Sequence, residues 1–214
     1  MCCYGYRSPA KIVPPRDLAV RRIQQFIAGH EIDDIEFHRI QRIVFSGISL
    51  RIKHGLIVSP STEMVIIREI SKVIYLSSQF LNQPPPDKVE FLTKAEGGIP
   101  DQGQEHTRAT CIIDEDSLER TFKYSPYELK GMADCLEGVG NATYQDVIFS
   151  LANFTAHESF HVHQHSSFPD VYEKDTAVLN LPDGKKRWCK TVSERMAVEF
   201  GEIFAQAYST PTEI

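Results

Sequence analysis

Three residues in the segment 151–165, LANFTAHESFHVHQH, have types and spacing that suit metal-dependent hydrolysis. His157, Glu158 and His161 form the pattern H-E-x-x-H. On a helix the two histidines lie one turn apart, so both imidazoles leave the same face and can bind one zinc ion. Two neutral imidazoles leave zinc enough Lewis acidity to lower the pKa of a bound water towards about 7. Glu158 can then accept the proton of that water and pass it to a leaving amine.

The residues before the motif predict the helix that this chemistry needs. Thr143 followed by Asp146 is typical of a capped helix start. Apolar residues then recur at helical spacing, at Val147, Ile148, Leu151, Phe154 and Phe160. The motif is therefore predicted to lie in the middle of a helix. A second interpretation stays open, in which neighbouring groups satisfy the histidines and the glutamate of a polar, partly buried helix.

A catalytic zinc site needs a third protein ligand. A histidine six residues after His161, as metzincins have, is excluded because Ser167 stands at that position. A glutamate on a later helix is available in the segment 191–208, TVSERMAVEFGEIFAQAY. Helical spacing predicts one apolar stripe on that segment, made of Met196, Phe200, Ile203, Phe204 and Ala207.

Glu194 is the first candidate for the third ligand. It shares a different, small-residue face with Ala197 and Gly201, and this face could approach the first helix closely enough for a short carboxylate arm to reach the metal. Two alternatives stay open. Glu199 could be the ligand instead, and Glu194 could serve only as the third residue of a capping box that begins at Thr191.

The two helices resemble those of the gluzincins, particularly the minimal ImmA/IrrE-type members, whose glutamate helix reads E-x-x-A-x-x-F-A. The corresponding string here, ERMAVEFG, runs from Glu194 to Gly201. The more specific form E-x-E-A-N is absent, because Met196 and Val198 stand where its second glutamate and its asparagine would be. The resemblance covers about the last half of the chain.

The resemblance implies a zincin-like α+β fold, in which a small sheet with an edge strand packs on the active-site helix and a glutamate helix follows. It implies a zinc metallopeptidase that acts on peptides or proteins with one zinc ion per chain. His157, His161 and Glu194 would bind the metal, and Glu158 would be general base and then acid. Two other function classes stay open: a non-catalytic binding or regulatory module on the same scaffold, and a zinc-dependent hydrolase of a non-peptide amide.

Two residues after the motif could assist the chemistry. His165 lies one further turn along the face of His161, too far from His157 to bind the same metal. It is predicted to be a transition-state donor, a partner of a metal ligand or an exposed polar residue. Tyr172 is the candidate donor to an oxyanion, in a predicted loop from Asp170 to Lys190 that could wall a substrate cleft.

Composition limits the protein class. The 214-residue chain has 42% hydrophobic and 24% charged residues, as ordinary globular proteins do. Its formal net charge of −6 argues against nucleic acid as the main partner. There is no apolar run long enough for a membrane span and no apolar core of a signal peptide, so a cytoplasmic protein is expected. The cysteines fit a reducing compartment, and Cys135 lacks the flanking motifs of peptide deformylase, which uses one cysteine and two histidines.

The prolines at 84–86 are the clearest break in the chain. They predict an N-terminal arm with a mainly helical annex over 1–86 and a metal-binding catalytic module over 87–214, which could also be one continuous domain. In the annex, periodicity predicts helices over 17–28, 33–45 and 60–81, and a hairpin or strand pair over 48–59. Oligomeric state is left open.

The second part begins with predicted strands over 89–94 and 109–114, separated by a loop over 95–108. Ser125 is predicted to begin a further helix. The string ATCIIDEDSL of the second strand resembles the edge strand before the active helix of zincins, along which an extended peptide pairs by strand addition.

Overall fold

The computed structural model describes residues 16–96, 107–181, 184 and 188–210. The arm over 1–15, most of the predicted loop 95–108 and part of the predicted loop 170–190 lie outside the described residues. The fold is α+β, with helices packed around a small mixed sheet, which confirms the predicted class.

The N-terminal half is helical, as predicted. Its helices are α1 (Arg16–Gly29), α2 (Asp34–Ile48), α3 (Leu50–His54) and α4 (Pro60–Leu81). Side-chain caps fix two of the helix starts. The Asp33 carboxylate accepts hydrogen bonds from two backbone N–H groups in the first turn of α2. The Ser59 hydroxyl accepts one hydrogen bond, from the Thr62 backbone N–H, at the start of α4, where Pro60 occupies the first helical position.

The predicted hairpin over 48–59 is wrong, because residues 50–54 form α3. A buried carboxylate from α4 selects the helix. Glu63 accepts hydrogen bonds from the Ser49 hydroxyl and the Arg51 backbone N–H, at 2.9 and 3.0 Å. Gly55, with φ of 60°, then ends the helix in the left-handed region. A tertiary contact therefore outweighs the alternating pattern of this segment.

Among the described residues, the sheet consists of β1 (Lys88–Phe91), β2 (Ala109–Ile113) and β3 (Arg120–Tyr124), in the order β1-β3-β2. β1 is parallel to β3, and β2 is antiparallel to it. Two of these strands were predicted. The sequence did not reveal β3, whose neighbouring residues Thr121 and Phe122 are both buried, so it lacks the alternation of a half-exposed strand. As predicted, β2 lies at the edge of this sheet, and it packs on the motif helix.

The C-terminal half contains α5 (Pro126–Leu136), α6 (Tyr144–Ser167), α7 (Pro169–Thr176), a 3-10 turn (Ala177–Asn180) and α8 (Val192–Ser209). α6 begins with the predicted capping box. The Asp146 N–H donates to the Thr143 hydroxyl, and the Asp146 carboxylate accepts from the Thr143 N–H. The loop predicted over 170–190 is wrong in its first part, because Pro169 begins α7, which packs against α6 and α8.

α6 occupies the centre of the packing. It contacts α8 on one side, α4 on another and the sheet through β2. Where α4 crosses it, the Ser77 hydroxyl donates to the Ser159 hydroxyl at 2.8 Å. The core is continuous on both sides of the prolines, from Ile74 in α4 to Leu151 in α6, and each such buried side chain contributes about 1.5–3 kcal/mol. Of the predicted apolar stripe of α8, Ile203, Phe204 and Ala207 are buried, Phe200 is partly buried against the core, and Met196 is 40% exposed.

The described helices include none with the character of a membrane span. None of them combines the length and the apolar composition that crossing a bilayer requires.

Candidate metal centre

The two motif histidines project from α6 towards a common point. His157 and His161 lie one turn apart in the middle of the helix, and their Nε2 atoms are 3.0 Å apart. His161 is 4% exposed and His157 is half-buried. The three-sided packing of α6 fixes the backbone that carries both rings, so their convergence depends on the core.

The carboxylate of Glu194 approaches the same point from α8. Its Oε2 lies 3.5 Å from His157 Nε2 and 3.4 Å from His161 Nε2. The Thr191 hydroxyl accepts a hydrogen bond from the Glu194 N–H, as a helix cap does. The Glu194 side chain, however, extends towards the histidines, so the capping alternative does not describe its contacts.

The small-residue face of α8 permits this approach. Ala197 is completely buried between the two helices. A Cβ placed on Gly201 would lie 2.7 Å from the Asn153 carbonyl oxygen and 3.2 Å from the Cβ of His157, which is too close for a side chain. The predicted close packing of the two helices is therefore confirmed. Glu199, the alternative ligand, is exposed and does not border the cleft at this site.

The three ligand atoms form a triangle that fits zinc. Its sides are 3.0, 3.4 and 3.5 Å. Tetrahedral zinc with bonds of about 2.0–2.2 Å places its ligands roughly 3.3–3.5 Å apart. The two sides that end on Glu194 match this spacing, and the side between the histidines is a few tenths of an ångström shorter. The Glu194 Oε2 is also buried without a hydrogen-bond partner among the described residues. Such an oxygen is costly unless a cation satisfies it, so two imidazoles and this carboxylate suit a zinc ion.

The charge state of Glu194 agrees with a ligand role. Burial acts to raise its pKa, but contacts with His157 and His161 outweigh burial and lower the pKa to about 2. At 3.4 and 3.5 Å these contacts are long for hydrogen bonds, so we attribute the effect to electrostatic attraction. The carboxylate is therefore ionised at neutral pH, as metal coordination requires.

Gln164 fixes the orientation of one histidine, and sequence reasoning missed it. Its side-chain oxygen accepts a hydrogen bond from the His161 Nδ1–H at 2.9 Å, and its nitrogen donates to the Ser193 carbonyl at 2.8 Å. A proton held on Nδ1 leaves Nε2 unprotonated and free for a metal. The available signal was its position, three residues after His161 on the same helical face.

Glu158 lies beside the triangle but has a different environment. Its Oε1 is 3.9 Å from His157 Nε2, and the Cys111 backbone N–H on β2 acts to lower the pKa of its carboxyl. Glu158 could join the two histidines as a ligand, since their ligand atoms lie within 4.8 Å of one another. Glu194 is the better placed of the two carboxylates, because its oxygen is closer to both nitrogens and has no other partner among the described residues.

The pKa of Glu158 differs from that of Glu194. Burial raises the pKa of the Glu158 carboxyl to about 7, while His161 lowers it and Glu194 raises it further. The pKa of Glu194 is therefore below the ordinary value for a glutamate, and that of the nearby Glu158 is above it. This separation is typical of a site in which one carboxylate stays charged and the other exchanges a proton.

A cleft of about 1550 Å³ opens onto these residues. It is bordered by β2, the Glu194 face of α8 and α7. Tyr172 of α7 lies with its ring 5.9 Å from that of His161 and 5.8 Å from that of His165. Trp188 packs 5.7 Å from the His161 ring. Burial raises the pKa of Tyr172, so its phenol stays protonated and can donate a hydrogen bond.

Of the three described cysteines, Cys111, Cys135 and Cys189, the first and the last border the cleft and Cys135 does not. Cys135 lies on α5 and does not border the cleft, so the structure does not bring it near the histidines. Cys111, which sequence reasoning did not single out, borders the cleft on β2. Burial raises the pKa of the Cys111 thiol, which favours its protonated form.

Comparison of the chain with protein-family models, curated proteins and solved structures found no match.

Proposed function

We propose that this chain is a zinc-dependent metallopeptidase with a zincin-like arrangement, similar to the gluzincins. One observation carries the proposal. Two histidine nitrogens and the unpartnered buried oxygen of Glu194 form a triangle of zinc-ligand dimensions beside the buried Glu158. Neither a bare H-E-x-x-H helix nor a capping glutamate would require this convergence.

Each side chain has a distinct role in the proposed reaction. His157, His161 and Glu194 would hold the zinc ion, which supplies Lewis-acid chemistry by acidifying a water molecule and polarising a carbonyl group. Glu158 receives the proton of the attacking water and delivers it to the leaving amine. A pKa of about 7 lets the Glu158 carboxylate gain and lose a proton near neutrality.

The negative charge that develops on the substrate carbonyl oxygen needs a hydrogen-bond donor. Tyr172 and His165 are the candidates on this side of the cleft, and their rings lie 5.8 Å apart. Tyr172 is favoured because its phenol stays protonated.

The shape of the cleft supports a peptide as the substrate. β2 is an edge strand of the sheet and borders the cleft along its length. An extended peptide can add to such an edge through backbone hydrogen bonds, which would place a scissile bond near the metal. A small amide would leave most of a cleft of about 1550 Å³ unfilled.

The first test is metal binding. The purified protein should bind one zinc ion per chain, and His157→Ala and His161→Ala should each lose it, because two remaining ligands rarely hold zinc. Elemental analysis after dialysis measures this. Full occupancy in both variants would contradict the proposed centre.

The second test separates an enzyme from a binding module. Glu158→Gln keeps the size of the side chain but cannot accept a proton. It should retain zinc while cleavage of a peptide library falls at least about a hundredfold. Glu199→Gln on exposed α8 surface is the matched control and should cleave as wild type does. If zinc-loaded wild type cleaves no peptide, or Glu158→Gln cleaves equally fast, the peptidase proposal is wrong.

A further inference from the structure

Asn153 borders the cleft without a role in the proposed centre. It lies on α6 one turn before His157 and is half-buried. An asparagine amide can donate two hydrogen bonds and accept two. Within the described part of the chain, the Asn153 side chain makes none, although polar groups at partly buried positions usually have partners.

The position of this amide is set by α8. A Cβ on Gly201 would lie 2.6 Å from Asn153 Oδ1, so that oxygen sits directly against the α8 backbone. Residues larger than glycine at 201 would displace it. With Oδ1 packed against this backbone, the amide nitrogen is the atom left to donate a hydrogen bond to a molecule in the cleft.

An extended peptide in this cleft would need such a donor. Strand addition to β2 satisfies the backbone groups along one edge of the peptide and leaves those along the other edge unpaired. Asn153 of α6 and the whole of β2 border the same cleft. One helical turn separates it from His157 by about 6 Å along the axis, and an extended chain advances about 3.3 Å per residue. For a peptide that runs along the α6 axis, Asn153 would therefore lie about two residues from the bond that is cleaved.

We propose that Asn153 is a substrate-binding residue, whose amide nitrogen donates to a backbone carbonyl of a peptide lying along β2. The proposal rests on the proposed peptidase function for the identity of the ligand as a peptide. It names a contact that neither the H-E-x-x-H motif nor the glutamate helix contains.

The test uses zinc-loaded full-length protein and three hydroxamate probes, measured by calorimetry. Acetohydroxamate reaches only the metal. Two further probes carry three alanine residues, one on the amino side and one on the carboxyl side of the hydroxamate. Asn153→Ala should weaken one tri-alanine probe about five- to tenfold, the worth of one hydrogen bond, and leave acetohydroxamate unchanged. Asn153→Asp keeps the size but removes the donor, so it should weaken the same probe at least equally.

The control is Asn141→Ala, because Asn141 is exposed outside the cleft and should affect no probe. Zinc content and thermal midpoint of each variant show whether the fold survives. Unchanged binding of both tri-alanine probes, or equal weakening of acetohydroxamate, would overturn the proposal.

The outcome is separable from that of the proposed function. Tight binding of a tri-alanine probe that depends on Asn153, in a protein that cleaves no peptide, would refute catalysis and retain the contact. Peptide cleavage that is unchanged in Asn153→Ala would retain catalysis and refute the contact. Failure of acetohydroxamate to bind would overturn both, since no accessible zinc would then be present.

Discussion

Replacing Gln164 by leucine should weaken zinc binding about 10- to 100-fold, although Gln164 does not touch the metal. Leucine approximates the volume but removes both hydrogen bonds, to His161 Nδ1 and to the Ser193 carbonyl. Gln164 is 3% exposed, so water cannot easily replace the lost partner. The expected change in binding free energy is about 1.4–2.7 kcal/mol.

Only one of the two lost hydrogen bonds should affect zinc affinity. The bond to Ser193 is absent from the zinc-free and the zinc-bound variant alike, so it cancels from the binding free energy. Its loss should appear instead as about 1–3 kcal/mol of lower stability of the zinc-free protein, since a buried carbonyl is left unpaired. The bond to His161 does not cancel, because coordination at Nε2 makes the Nδ1–H a stronger donor.

Gln164→Glu separates the two effects. Its carboxylate can accept from His161 but cannot donate to Ser193. Zinc affinity should therefore match or exceed that of wild type while the stability of the zinc-free protein still falls. Competition with a chromogenic chelator gives the zinc affinity, and urea unfolding gives the stability. An unchanged affinity in Gln164→Leu, or equal losses in both variants, would refute the reasoning.

Three further predictions address the two helices and the motif glutamate. Glu194→Ala should lower zinc affinity at least about tenfold, while Glu199→Ala should leave it unchanged in the chelator assay, because only Glu194 contacts the histidines. Gly201→Ala should lower the free energy of unfolding by about 1–3 kcal/mol in urea, because its Cβ would lie 2.7 Å from the Asn153 carbonyl oxygen. Glu158→Gln should stabilise the zinc-free protein at pH 8 by up to roughly 3 kcal/mol, because burial raises the pKa of this carboxyl to about 7 and its ionised form is costly.

The sign of the last effect fixes its pH dependence. The folded protein holds the Glu158 proton more tightly than the unfolded chain, in which the pKa is the ordinary 4.5. Wild type therefore loses stability as the pH rises from about 4.5 to 7, and Glu158→Gln does not. The advantage of the variant should vanish at pH 4. If Glu158→Gln is less stable than wild type at pH 8, the assigned cost of burying the ionised Glu158 is wrong. If Glu199→Ala lowers zinc affinity and Glu194→Ala does not, Glu199 is the ligand. If Gly201→Ala leaves the free energy of unfolding unchanged, the helices do not pack tightly at this position.

The sequence by itself determined the local parts of the site. The cap at Thr143 and the apolar spacing after it predicted α6, and this helix necessarily places His157 and His161 on one face. These inferences succeed because capping and 3.6-residue periodicity involve only neighbours in the chain. The small face with Gly201 likewise indicated that α8 could approach α6 closely, since residue size is read directly from the sequence.

Only the tertiary structure decided which distant groups meet. The contact of the Cys111 N–H with Glu158 depends on how β2 packs on α6, and the Gln164 bond to Ser193 depends on the register of α8 against α6. The sequence predicted a hairpin in place of α3 for the same reason, because the carboxylate that stabilises α3 belongs to Glu63 in another element. Local sequence patterns determine where helices form and which residues share a helix face. Hydrogen bonds between elements depend on the packing of the whole core, which no short segment encodes.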